Sequence, residues 1–167
     1  FIRNQGPDAG LWAAAVLSDS DALAAEAGAL ALALPVDETA PDVAEALGAA
    51  MSSTDSTTRA AAAAAAVRRG AEVLANPVGA LLARGDDRAT EVVLRTLRDN
   101  GDGRWEAAIK IGLDSAVPTT RELAVDAAVA SCDASRIDQM FALLDDADPH
   151  VAIRAASALY LLIGNPK

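Results

Sequence analysis

Apolar positions along this chain recur with a helical rhythm, and the rhythm itself repeats. The stretch Met140-Phe141-Ala142-Leu143-Leu144-Asp145-Asp146-Ala147-Asp148-Pro149-His150-Val151, running on to Arg154-Ala155-Ala156-Ser157-Ala158-Leu159, recurs upstream in degenerate form at a step of 31 residues. From Met140 the step lands on Ile109, Val78 and Leu47; from Leu144 it lands on Leu113, Leu82 and Met51. These columns stay apolar and predict the buried face of a first helix. A second helix carries small residues in register: Ala155 with Ala124, Val93 and Ala62, Ala158 with Ala127, Thr96 and Ala65, and Leu159 with Ala128, Leu97 and Ala66. The column before it reads Asp148, Val117, Asp86 and Asp55. Aspartate there accepts bonds from the unpaired N–H groups of a helix start. Thr58-Arg59 and Thr120-Arg121 mark the same start. Repetition at such a period signals stacked two-helix units, none of which can bury its apolar face alone.

The period predicts an all-α fold of about five helical hairpins, with helix pairs near 7–18 and 21–33, 40–52 and 56–69, 71–84 and 88–99, 103–114 and 118–131, and 134–146 and 149–163. The corresponding repeats are 7–33, 40–69, 71–99, 103–131 and 134–163, in a single repeat domain. The first pair is the least regular, its extra length falling between Pro35 and Pro41. The remaining breaks are Gly70, Gly85, Asn100-Gly101-Asp102-Gly103 and Ser131 to Ala134. No stretch alternates with period two for long enough to argue a strand.

The second-helix columns resemble the HEAT-repeat family, in particular the short bacterial and archaeal repeats related to phycobilisome-lyase HEAT-like repeats. Their second helix typically reads D-x-x-V-R-x-x-A-A-x-A-L. The last repeat matches at Asp148, Val151, Ala155, Ala156, Ala158 and Leu159; Ala152 stands where the arginine is usual, and Arg59 and Arg121 supply it in earlier copies. The resemblance implies a right-handed α-α superhelix, a solenoid whose second helices line the concave face. For function it implies little, because such arrays serve as scaffolds, receptors and occasionally enzymes.

Composition agrees with thin, closely spaced helix layers: aromatics make up 3% of 167 residues and alanine is abundant. Alanine has the highest helix propensity, so Ala60 to Ala66 reads as a close-packed second helix rather than a linker. Charges or prolines interrupt every window of about 20 residues, the length needed to span a bilayer. The expectation is a soluble, cytoplasmic protein with no membrane partner. Phe1-Ile2-Arg3 reads as an internal or processed start, and the last helix is unusually rich in large apolar residues (Val151, Ile153, Leu159, Tyr160, Leu161, Leu162, Ile163). Solenoids need polar caps. The chain therefore reads as a piece of a longer protein, or one whose C-terminal face is covered by further repeats or a symmetry mate.

The net charge of −10 argues against a nucleic-acid partner, which would require clustered Lys and Arg. Residues 1–55 hold one basic residue, Arg3, against nine acids. Such acidity fits attraction to a basic protein, and it equally fits adaptation to salt or a biased genome.

Signals for chemistry are sparse. His150 is the only histidine and lies in the first turn of the last helix, without a ligand-like carboxylate pattern around it. Cys132 is the only cysteine, which excludes an intrachain disulfide and a cysteine-based zinc site; its place between helices reads as inert packing. Asp99-Asn100-Gly101-Asp102-Gly103 looks like a calcium loop but lacks the distant bidentate glutamate, and reads as an inter-repeat turn. No P-loop, dinucleotide fingerprint or nucleophile elbow occurs. Trp12 and Trp105 read as packing residues, Trp105 sharing a column with Arg136, Leu74 and Val43 on the first helices. The expectation is no enzyme, no cofactor and no metal.

What remains is surface. The second-helix residues between the small core columns are Glu91, Arg95 and Arg98, then Glu122 and Asp126, then Arg154 and Ser157. With Arg68 and Arg69 they form the candidate ribbon for docking an extended or helical segment of another protein. Ala60 and Ala64 predict a smooth trough beside it, and Glu91 and Arg95, four apart, are spaced to pair. The function expected is a non-catalytic protein-interaction scaffold. Two alternatives are a bilin-lyase-like chaperone, from the repeat family alone, and a regulatory subunit similar to HEAT proteins of secretion systems, from Arg104-Trp105-Glu106-Ala107-Ala108.

Overall fold

A computed structural model describes residues 41–70, 72–101, 105–132 and 134–164, and all regular structure among them is helical. The helices are α1 (Pro41–Ala50), α2 (Ser56–Arg68), α3 (Ala75–Ala83), α4 (Asp87–Asn100), α5 (Glu106–Leu113), α6 (Pro118–Ala130), α7 (Ile137–Ala142) and α8 (Pro149–Gly164). The helix pair expected at 7–18 and 21–33, and Trp12 with it, lies outside the described residues. The expected bounds hold to within a few residues except at the starts of first helices. Glu72–Leu74 and Ala134–Arg136 are 3-10 turns before α3 and α7, and Leu143–Asp145 is another after α7. The 134–146 helix is thus a short α core between two tighter turns, which serve helix ends where backbone groups lack α-type partners.

Local chemistry sets these boundaries. Asp55, in extended conformation, accepts the Thr58 N–H at 2.6 Å and starts α2. That bond holds the Asp55 carboxyl below the usual carboxylate range. Asp86 accepts the Ala89 N–H at 3.0 Å, and Asp148 the His150 N–H at 2.9 Å. Val117 has no side-chain acceptor, and α6 starts instead with Pro118, whose missing N–H costs nothing at a first helical position.

Second helices end on a left-handed residue, again 31 apart: Gly70 at φ 60°, Gly101 at φ 65° and Cys132 at φ 54°. Their N–H groups return to Val67, Leu97 and Val129 carbonyls at 2.9, 2.8 and 3.0 Å. Cys132 is therefore a substitute for glycine in a helix-ending turn, and it is exposed; the packing role read from its position between helices is not what it has. A Cβ in this conformation costs about 1–2 kcal/mol. Cys132→Gly is expected to raise stability by about 1 kcal/mol, partly offset by the freer unfolded chain, as measured by urea denaturation.

The apolar register is visible in burial. Leu47, Val78, Ile109 and Met140 are all buried, as are Ala62, Val93, Ala124 and Ala155. The columns of Ala158 and Leu159 are likewise buried throughout. The chain divides into two compact units, up to Val93 and from Leu94 onward. In the first, α1 packs on α2. In the second, α5 packs on α6, α6 on α8, and α8 on α7.

Ala60 to Val67 are all buried, so α2 is covered all round rather than on one face. Ala60 and Ala64 line no open trough.

Candidate functional site

The expected ribbon residues fall into one cluster and several separate positions. On α6, Glu122 and Asp126 lie one turn apart, and Arg154 of α8 reaches both, 3.3 Å from Asp126 and 3.9 Å from Glu122. The two carboxylates are about one-quarter exposed and the guanidinium about half exposed. Pairs this open to solvent contribute about 0–1 kcal/mol each, so the cluster is a charge pattern more than a structural clasp. Its sum is one net negative charge held by two helices. Ser157 is exposed and donates its hydroxyl to the Ile153 carbonyl at 3.0 Å.

Arg98 is exposed and pairs with its neighbour Asp99 at 2.9 Å. Glu91 is half-buried and Arg95 exposed, one turn apart on α4. Arg68 is exposed at the end of α2, where its charge complements the helix dipole, and Arg69 is the half-buried residue after it.

Two ion pairs link successive hairpins, and neither was anticipated. Arg59 at the start of α2 donates Nε to Asp86 at 2.6 Å, the aspartate that caps α4. Its Nη1 also bonds the Ser53 and Thr54 carbonyls, each at 2.9 Å. Arg121 at the start of α6 donates to both carboxylate oxygens of Asp146, at 2.8 and 2.7 Å, and to the Ser115 carbonyl at 2.8 Å. Asp146 also accepts the Asp148 N–H at 2.8 Å, which orders the entry to α8. The Arg121 guanidinium and the Asp148 N–H hold the Asp146 carboxyl below the usual carboxylate range. These arginines share a column of the 31-residue register with Ala152. The signal was present as an arginine 27 or 25 residues before an acid in the next turn, and it needed the turn geometry to be read.

An open cleft of about 420 Å³ adjoins the first of these pairs, lined by Met51, Ser53, Arg59, Arg84, Asp86 and Asp87 among others. Its charges nearly cancel, and Arg59 and Asp86 are already committed to each other. Trp105 is buried at the start of α5, as its column predicts, with its indole Nε1 lacking an acceptor. His150 is exposed in the first turn of α8. Among the described residues no three His, Cys, Asp or Glu side chains gather as metal ligands would, and no helix is long and apolar enough to cross a membrane.

No protein-family model matches the chain, and no curated protein matches it significantly.

Proposed function

We propose that the chain is a right-handed superhelix of HEAT-like hairpins serving as a non-catalytic scaffold, which binds a basic protein segment along its second-helix ribbon. The observation that carries this reading is the agreement between the 31-residue register and burial: Met140 and its three counterparts, and Ala155 and its three, are all buried. Equivalent positions in successive hairpins are what a stacked array requires, and a stacked array presents its intervening columns on a continuous surface. The acidic pair Glu122 and Asp126 supplies the attraction, and Arg154 tempers it. Binding by charge at a solvated ribbon favours fast association and selectivity over tight affinity.

Fluorescence anisotropy with a Lys-rich helical peptide at low salt tests the site. Replacing Glu122 and Asp126 by lysine is expected to weaken binding at least tenfold, about 1.4 kcal/mol. Arg154→Ala, which unmasks both acids, is expected to strengthen it about two- to fivefold, in keeping with rim charges worth under 1 kcal/mol. Affinity that ignores both changes, with helicity intact, rejects the ribbon as the binding surface.

A further inference from the structure

Arg59 and Arg121 stand two register steps apart, and each bonds the carbonyl of a serine in the turn before its own helix, Ser53 and Ser115, themselves two steps apart. They differ in what the next hairpin offers them. Around Arg121 two acids divide the work: Asp146 accepts from Nε and Nη2 through its two oxygens, and Asp148 accepts the His150 N–H at the start of α8. Around Arg59 a single acid does both. Asp86, the counterpart of Asp148, caps α4 through Oδ1 and accepts from Arg59 Nε through Oδ2. The counterpart of Asp146 is Arg84.

That exchange reverses one charge and leaves donors over. Arg59 Nη2, whose equivalent in Arg121 meets Asp146 at 2.7 Å, has no partner among the described residues, and neither has the Arg84 guanidinium. Both side chains line the open cleft of about 420 Å³, which lies wholly within the first unit. The Arg59 side chain is only 23% exposed, so a charge-assisted bond to it is little diluted by water. Arg84 is exposed at the end of α3, on the same cleft as Asp87 and Ser52.

We propose that this cleft binds a carboxylate of a peptide, which takes the place that Asp146 holds in the α7–α8 hairpin. The chain itself displays the chemistry, since an acid at this register position receives two N–H bonds from the arginine. Here Nε is already given to Asp86, so the incoming carboxylate receives Nη2 through one oxygen and Arg84 through the other. Two donor groups match two oxygens. A phosphate dianion would bring a third oxygen without a donor and costs more to desolvate. The cleft is also larger than a lone carboxylate needs, and Asp87 and Ser52 on its wall supply acceptors for the N–H groups of a peptide backbone. The cleft shares no residue with Glu122, Asp126 and Arg154, so loss of binding at the ribbon leaves this proposal standing, and the reverse holds.

Titration of the isotope-labelled chain, followed by two-dimensional NMR, is the test. The probe is an N-acetylated, C-amidated tripeptide with glutamate between two glycines; the control carries glutamine instead. The expected result is saturable shifts at Ser53, Arg59 and Gly85 with a dissociation constant on the order of millimolar, in keeping with two charge-assisted bonds at an open site. The glutamine control is expected to give none. Arg84→Gln is expected to weaken binding at least fivefold. Arg84→Asp, which supplies from within the chain the acid that Asp146 supplies to Arg121, is expected to abolish binding with helicity intact. N-acetylated triglycine with a free terminus separates the two sources of carboxylate: tighter binding than the glutamate probe assigns a chain end, weaker binding assigns an acidic side chain, and either supports the site. Shifts shared with the glutamine control, shifts that do not saturate by tens of millimolar, or affinity indifferent to Arg84→Gln overturn the proposal. Tighter binding of inorganic phosphate than of both carboxylate probes overturns it as well.

Discussion

Gly112→Val is expected to lower the stability of the Leu94-onward unit by about 3 kcal/mol, the upper part of the range for forcing methyl groups into a packed site. Gly112 sits inside α5 and is buried. A Cβ there would lie 2.6 Å from Leu94 Cδ1 and 2.8 Å from Ala124 Cβ. The leucine methyl can swing aside. Ala124 cannot, because its Cβ moves only with the backbone of α6, and it is itself a fully buried member of the small-residue column. Helix propensity favours valine over glycine by only about 0.3–0.5 kcal/mol, so the steric conflict has little gain to exceed before it shows as a net loss. Gly79→Ala provides the control: it lies in α3, where nothing stands within 4 Å of the added Cβ, and it is expected to stabilise by about 0.5–1 kcal/mol. Urea denaturation followed by circular dichroism reads both. Equal responses at the two glycines would show that close approach of α5 to α6 is not what Gly112 provides.

Asp146→Ala is expected to cost about 2 kcal/mol, since it removes a two-oxygen contact with an arginine and one backbone hydrogen bond from a site where little water can substitute. Asp146 is 7% exposed and Arg121 14%. Arg121 keeps the Ser115 carbonyl, which moderates the loss. The same pair makes stability depend on pH in a definite direction. The folded state holds the Asp146 carboxyl below its ordinary range, so its contribution is complete above the unfolded pKa of about 3.9 and is lost as pH falls through the lower folded value. The parent chain is therefore expected to lose stability on acidification over that window more steeply than Asp146→Ala. Arg121→Met, which removes the largest cause but leaves the Asp148 N–H on the carboxylate, is expected to flatten the acid limb in the same direction but less. Parallel acid limbs in parent and both variants would mean that the pair does not couple folding to protonation.

Much of this architecture was open to inspection in the order of residues. The 31-step columns named Leu47, Val78, Ile109 and Met140 as core, and all are buried. Asp55, Asp86 and Asp148 were expected at helix starts, and each accepts a backbone N–H there. The ribbon was less legible. Glu122 and Asp126 could be placed on one helix by their spacing, but that Arg154 would reach both depends on the packing of α8 on α6. Ala60 and Ala64 were assigned to an outward column by periodicity and are covered. Periodicity finds the face a helix turns to its main partner; it is blind to a helix thin enough to be enclosed.

Cys132 shows the same division. The register places it one step from Gly101 and two from Gly70, and a helix-ending position could have been read from that alignment alone. That its backbone adopts the left-handed turn although it carries a Cβ is a property of the packed chain.

Among the described residues, helical class, most helix boundaries, the aspartate caps and the core columns, except at Leu144, were written in the residues, because each depends on contacts within a few turns of the same helix or on a periodic pattern that any window exposes. The arginine–aspartate links between hairpins, the enclosure of α2 and the contact that leaves no room at Gly112 came from folding. Each depends on which residues distant in the chain arrive at the same place, and on how closely their backbones approach there.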